Sequence, residues 1–414
     1  MEKLMKEDFE KLNNDFIYVA KRKFNVDLDN TVTSVYISDV LISLYFEGQR
    51  NKSRIAISLV GSFIGQTILY HWGGNWVPDS FSIRYVGNNK ITVNPFSMAH
   101  QRLTKGVNKT LFDQLEIVAI KANNDNIKKM IDDNRVSDVF NRLFDEGWWP
   151  LSMVYKKNLP NYVRYEMAYI LGAIAKYVKD KDYIKQKFRE LLSDKDTVYY
   201  ACVAFQNCLF PEFVDKIFEI IYSDDYSNTV KAQAISSLEG RSRSDDDKVM
   251  NFAHSLLFRL DNPVLKFYVG NLLGTFDNQE NVEWINQKLK DDNVDEFSKL
   301  ALLVAVQLLR KKEFNNTLLS IFLNGSVQAS IKDEIIKTLH LLPINDEIYH
   351  LRNEYDKFDM KNKIGFINIV LFSDFKDKKR VLLDLLSNEH DSFVKSYILS
   401  AIDNISEDDK YSLQ

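Results

Sequence analysis

VKAQAISSL at 230–238, IKDEIIKTL at 331–339 and VKSYILSAI at 394–402 share one form. Each opens on an aliphatic residue followed by a basic one and closes eight positions later on an aliphatic residue. VRYEMAYIL at 163–171 and LKFYVGNLL at 265–273 repeat it, and weaker copies begin at Val198, Ser298 and Asn362. The eight starts run from residue 163 to residue 394 with a mean period of 33. Self-similarity at a fixed period is the signature of stacked supersecondary units.

Between the copies lies a second pattern: PEFVDKIFEIIYSDD (211–225), DDKVMNFAHSLLFRL (246–260), ENVEWINQKLKDD (280–292) and KDKKRVLLDLLSNE (376–389). Apolar residues there recur at i, i+3, i+4 and i+7, as on an amphipathic helix. The connections are short and rich in Asp, Ser and Asn, which cap a following helix by accepting its free N–H groups. Each unit therefore reads helix, turn, helix, polar turn. One such pair cannot bury its own apolar face, but stacked neighbours can.

The aliphatic–basic starts Val230–Lys231, Ile331–Lys332 and Val394–Lys395, with acidic turns ahead of several copies, resemble HEAT or HEAT-like repeats of the short bacterial kind over about residues 125–405. Ala234 matches the family's small position, whereas Val269 and Ile335 depart from it. The tetratricopeptide class has a similar period, but its Trp, Gly-Tyr and late Pro marks are missing. The resemblance implies a mainly α chain, with residues 124–414 forming a right-handed α–α superhelix. The first helix of each pair would line the convex side and the second the concave side.

Residues 1–123 carry no repeat and read as a small α+β domain. Helices are expected at 3–24, 33–46, 51–71, from Pro95 through Arg102, and at 110–122. HWGGNWVPD (71–79) breaks the pattern, because Gly73–Gly74 and Pro78 cannot continue a helix. Ser80–Val86 and Lys90–Val93 read as two strands joined at Gly87–Asn88–Asn89, a hairpin over 80–94. Gly61, Gly65, Gly73, Gly74, Trp76, Asn94–Pro95–Phe96 and Arg102 resemble an uncharacterised bacterial domain, some of whose members lie near toxin–immunity loci. Many such domains carry an acid after the second glycine, where this chain has Gln66.

The 414 residues hold only 7 prolines and 14 glycines, too few for the closely spaced turns of an all-β protein. Two cysteines, Cys202 and Cys208, exclude a disulfide framework and a four-cysteine zinc site. The N-terminus lacks the apolar core of a signal peptide. The longest apolar run, Ile57–Tyr70, is 14 residues, short of the ~20 that span a bilayer. The expected location is the cytoplasm, with no membrane. Residues 1–123 carry 15 Lys and Arg against 12 Asp and Glu, net +3, and residues 124–414 carry 39 against 46, net −7. An acidic array suits a basic protein partner better than a polyanion.

No chemistry-bearing constellation stands out. The six histidines, His340 and His350 among them, have no zinc-ligand spacing. No serine sits in G-x-S-x-G, neither cysteine has a histidine partner, and acids such as Asp245–Asp246–Asp247 cluster at turns. No catalytic residue, metal or cofactor is therefore expected. Gly61 and Gly65 share one helical face and allow close packing. Trp72 and Trp76 either plug the domain core or roof a ligand pocket. Trp148–Trp149 reads as a plug on the end of the repeat core or as an exposed aromatic anchor. In GRSRSDDDK (240–248), Arg241 and Arg243 face three aspartates as a self-neutralising loop or an anion contact.

The candidate partner-binding positions are Asp215, Glu219, Asp247, Glu283 and Asp384 on the second helices, interleaved with Lys216, Lys248, Lys288 and Lys379. The function expected is that of a protein-binding scaffold, a bacterial adaptor or immunity-type protein. The alternatives are nucleic-acid binding of the alkylated-base glycosylase type and an enzyme activity within residues 1–123.

Overall fold

Polar caps start the helices where the sequence places them. Thr31, Asn94, Ser227, Asn262, Asp295 and Asp359 each accept a backbone N–H from the first turn of the helix that follows. Pro95 and Pro263 sit in the first turn, where no N–H is needed. The computed structural model describes residues 2–77, 80–324, 327–339, 341–342, 346–373 and 375–412. Pro78 and His340 lie outside them. The chain is mainly helical and divides into two compact units, Met1–Phe213 and Val214–Gln414.

The first unit opens with α1 (Glu2–Phe24), α2 (Val32–Tyr45) and α3 (Arg54–Trp72). A three-stranded antiparallel sheet follows in the order β1 (Asn75–Val77), β2 (Ser82–Val86), β3 (Ile91–Val93). The β2–β3 hairpin turns through Gly87, which has φ +66°. β1 is an addition to the two strands expected. Its three residues are too few to show alternation, yet Trp76 pairs with Ile83. Next come α4 (Pro95–Lys105), α5 (Leu111–Asn123), α6 (Asp133–Asp145), α7 (Leu151–Tyr155), α8 (Asn161–Tyr177), α9 (Lys181–Ser193) and α10 (Val198–Phe205). α3 packs on α1 and α4, and α2 on α5, α6 and α8. Residues 1–123 thus share one compact body with the helices that carry the repeat starts Val163 and Val198.

Gly65 makes a close approach possible. A Cβ there would lie 2.3 Å from the Trp76 ring, and Trp76 in turn packs against Phe9 at 4.4 Å and Phe96 at 6.0 Å.

The second unit contains α11 (Val214–Tyr222), α12 (Asn228–Ser237), α13 (Asp246–Arg259), α14 (Pro263–Leu273), α15 (Gln279–Lys290), α16 (Glu296–Leu309), α17 (Asn315–Leu323) and α18 (Ala329–Leu339). It ends with α19 (Asp346–Glu354), α20 (Met360–Phe372), α21 (Lys378–Asn388) and α22 (Ser392–Ser412). α12, α14, α16, α18, α20 and α22 pack each on the next. α11, α13, α15, α17 and α21 lie against α12, α14, α16, α18 and α22 respectively. The six repeat starts after residue 213 fall in the first turns of the even-numbered helices.

The basic residue of the repeat phrase is buried in four copies and half-buried at Lys231, Lys363 and Lys395. Arg164, Lys266, Lys299 and Lys332 all have buried side chains. Lys266 donates to Asp295 Oδ2 at 2.7 Å and to Ser298 Oγ at 2.9 Å, in the turn that opens the next repeat. Lys332 reaches Asn362 Oδ1 at 3.2 Å and Lys363 reaches Glu389 Oε2 at 2.9 Å, each one repeat further along. In the first unit, Arg164 donates to the Asp196 carbonyl. Burial alone would raise the acids. Hydrogen bonds from Lys266 and from the Ser298 hydroxyl and N–H hold Asp295 down to about 2. The N–H groups of Asp391 and His390, with Lys363 and Tyr355, hold Glu389 down to about 2 against the same opposition.

Two predictions follow from this packing. Leu238, Leu273, Leu339 and Ile402 are all buried at the closing position of the phrase. Leu273→Ala is expected to cost ~2–5 kcal/mol in urea unfolding, the range for a buried leucine whose cavity stays open. The second concerns pH. A carboxylate held below its unfolded value of 3.8 stabilises the fold above that value and loses the contribution as pH falls toward about 2. Asp295→Asn is therefore expected to lower the urea midpoint at neutral pH, and the gap to the native chain should close on acidification from 3.8 toward about 2.

Candidate functional site

Two polar or aromatic constellations emerge, one in each unit. In the first unit, Arg102 from α4 is 1% exposed and ties three helices together. Its Nε donates to Asp39 Oδ1 at 2.7 Å, Nη1 to Glu166 Oε1 at 3.1 Å, and Nη2 to the Asp39 carbonyl and to Ser43 Oγ. Asp39 also accepts the N–H groups of Leu111 and Phe112, at the N-terminus of α5, both at 2.9 Å. Glu166 accepts the Ser43 hydroxyl at 2.7 Å and pairs with Arg50. Burial opposes the charge on Arg102, but Asp39 and Glu166 hold the guanidinium above its ordinary value.

Gly106 lets this cluster close. It has φ +64°, and a Cβ there would fall onto the Arg50 guanidinium and the Glu166 carboxylate. Every charge is answered, so the cluster is built to position α2, α4, α5 and α8 rather than to react. Removing Arg102 leaves two buried carboxylates to share one half-buried cation, Arg50, with Asp39 held only by backbone N–H groups. Arg102→Met is expected to destabilise the chain by ~3–5 kcal/mol in chemical denaturation, as for other broken buried ion pairs.

In the second unit, two aromatic clusters join α11, α13 and α15, with Phe252 of α13 toward α11 and His254 and Phe258 toward α15. Phe218 and Phe252 stack with centroids 3.7 Å apart and planes 4° from parallel. Tyr222 meets Phe252 at 5.4 Å. His254 stacks on Trp284 at 3.7 Å, and Phe258 lies 5.9 Å from the same indole. Burial lowers the His254 imidazole below its ordinary value, and the ring shares a hydrogen bond of 3.0 Å with the Asn281 amide oxygen. Cations cover the outer rings: Lys248 over Phe218, Arg259 over Tyr222 and Lys288 over Phe258. Tyr222 and Phe258 remain 44% and 43% exposed.

The acids singled out from sequence flank these rings. Asp215 pairs with Lys248 at 2.7 Å, from α11 to α13, and Glu219 pairs with Lys216 at 2.8 Å on its own helix. Asp247 is exposed at the start of α13, and Glu283 accepts from Gln279 at 2.9 Å on α15. Asp384, on α21, pairs with Arg352 of α19 at 2.9 Å. Four of the five thus gather around α11, α13 and α15, and three of the five are engaged in ion pairs. The aromatic clusters between them were not expected, although Phe218, Phe252 and Trp284 recur at 34 and 32 residues, the spacing of the repeat.

The tryptophans are placed as follows. Trp72 is buried and donates Nε1 to Asp125 Oδ2 at 2.7 Å. Trp76 lies against Gly65 and Phe9. Trp148 and Trp149 are half-buried, with Trp148 4.6 Å from Phe24 and Trp149 5.2 Å from Phe144. Arg241 donates to Asp246 at 2.8 Å and stacks over Phe276 at 3.8 Å, as a self-neutralising loop requires. Cys202 is buried, and burial pushes its thiol up to about 12. Among the described residues no group of three or more His, Cys, Asp or Glu is disposed to hold a metal ion. One helix among them, α3, is long and apolar enough to cross a membrane by length and composition, and half of that stretch is buried inside the fold. No family model matches this chain, and no curated protein is similar to it.

Proposed function

We propose that this chain is a protein-binding scaffold whose repeat region is a HEAT-like α–α superhelix. The succession of even-numbered helices, each packed on the next, supports the architecture, as does the cation that links one repeat to the turn of the following one. The observation that carries the function is the pair of aromatic clusters joining α11, α13 and α15. Interface hot spots draw on rigid aromatic and cationic side chains ringed by polar groups. Half-exposed Tyr222 and Phe258, roofed by Arg259 and Lys288 and flanked by the Asp215–Lys248 pair, have that composition. The partner is a protein that offers apolar side chains to the rings and basic ones to the acidic surround, given the net charge of −7 over residues 124–414. The resemblance of residues 1–123 to an uncharacterised bacterial domain, some of whose members lie near toxin–immunity loci, supports reading the scaffold as a bacterial adaptor or immunity-type protein.

The test is capture on the full chain. Proteins retained from a cell extract are compared between the native chain and Tyr222→Ala/Phe258→Ala, whose far-UV spectrum and melting temperature should be unchanged. The specific partner is expected to bind the double variant at least about 30-fold more weakly, the loss typical of a hot-spot aromatic, and to bind the native chain more weakly at high salt. Equal retention by the two chains would remove these clusters as the interface.

A further inference from the structure

A cavity of about 250 Å3 lies between α1, α2 and α3, within the first unit. Phe16 and Phe24 of α1, Leu41 and Tyr45 of α2, and Ala56 and Leu59 of α3 form its walls, and its lining is apolar except for Asn51 and Ser53. It opens beside Tyr45, 46% exposed, and Ile55, 73% exposed. The cavity opens to solvent, so water reaches it, but its apolar walls gain about 0.8 kcal/mol for each methylene a hydrocarbon chain buries there.

The chain flanking the lining is basic: Lys21, Arg22 and Lys23 close the last turn of α1 next to Phe24, and Lys52 and Arg54 neighbour the lining residues Asn51, Ser53 and Ile55 in sequence. Asp27 takes up Lys21 at 2.7 Å. Arg22, Lys23, Lys52 and Arg54 are exposed and have no ion pair among the described residues. The exposed acids next to lining positions in the chain are Asp15 and Glu47. An apolar groove with surplus exposed cations in the chain segments that border it matches a hydrocarbon chain that ends in an anion.

We propose that this cavity binds a single-chain anionic amphiphile, of the fatty-acid class, with its chain between α1, α2 and α3 and its carboxylate at Lys52 and Arg54. The site is independent of the protein-binding face on α11, α13 and α15. A cavity of this size holds one chain, so the occupant is the free, dispersed amphiphile rather than a bilayer.

Calorimetry on the full chain with hexanoate, octanoate, decanoate and decanol tests this. Affinity is expected to rise about fourfold for each added methylene that is buried, with one-to-one stoichiometry. Decanoate should bind more tightly than decanol. Ala56→Trp, which fills the cavity, should reduce decanoate binding at least tenfold. Lys52→Glu/Arg54→Glu, on exposed positions that leave the fold intact, should erase the preference for decanoate over decanol. The proposal is overturned if decanoate does not bind, if affinity is independent of chain length, or if both variants bind as the native chain does. Binding to anionic vesicles without binding of free decanoate would also overturn it, by assigning the apolar surface to a membrane.

Discussion

A buried ammonium needs an anion or a set of hydrogen-bond acceptors, and in a repeat array the nearest source is the next repeat. Lys266 shows the consequence. Its stem lies in the core and its head meets Asp295, which caps α16, and Ser298, whose N–H that cap accepts. One carboxylate therefore satisfies a buried charge through Oδ2 and starts the next helix through Oδ1, and it sets the spacing between α14 and α16. Asp295 accepts the Ser298 N–H as a cap while it accepts the lysine, so helix initiation and repeat stacking stabilise each other. Lys332 and Lys363 repeat the arrangement with different acceptors, Asn362 and Glu389. Burying a lone charge is costly enough that stacking in any other register would leave these cations unanswered.

Much of this was legible from period and composition. The aliphatic–basic phrase located the first turns of α8, α10, α12, α14, α16, α18, α20 and α22, because an amphipathic helix must place its apolar residues at fixed phase. Helix limits in residues 1–123 followed from the Gly73–Gly74 break and from Pro95, which opens α4. β1 was missed because three residues carry no readable alternation. The destination of the basic residues was missed as well. A lysine in a helix is ordinarily solvated, and nothing local tells Lys266 from Lys216. The difference is that Lys266 recurs in phase with the core positions.

The candidate surface was half legible for a related reason. Charged residues on amphipathic helices announce their exposure, so Asp215, Glu219, Asp247 and Glu283 could be placed on the outer side of α11, α13 and α15. Aromatic residues on the same helices read as core, and only the periodic spacing of Phe218, Phe252 and Trp284 marks them as equivalent positions of successive repeats. Their stacking depends on inter-repeat distance. Parallel rings 3.7 Å apart require the two helices to be held at that separation by something else, and the Asp215–Lys248 pair spans the same two helices. The Arg102 cluster was harder to foresee. Its members come from residues 39, 43, 50, 102 and 166, and no local pattern joins positions so far apart.

That cluster also explains why a cavity persists between α1, α2 and α3. Asp39 and Ser43, one turn apart on α2, face Arg102, so the opposite side of α2 with Leu41, Ile42 and Tyr45 is turned toward the cavity. Gly61 and Gly65 of α3 are held against Phe96 and the Trp76 ring, which turns Ile55, Ala56 and Leu59 the same way. Closing the gap by moving α2 would pull Asp39 away from Arg102 and from the N–H groups of Leu111 and Phe112. Closing it by moving α3 would lift the glycines from the aromatic rings they were small enough to accept. Collapse normally recovers part of the free energy that an apolar void costs. Here two well-satisfied anchors on the far sides of both helices oppose collapse, so the apolar walls stay apart and open to whatever enters from solvent.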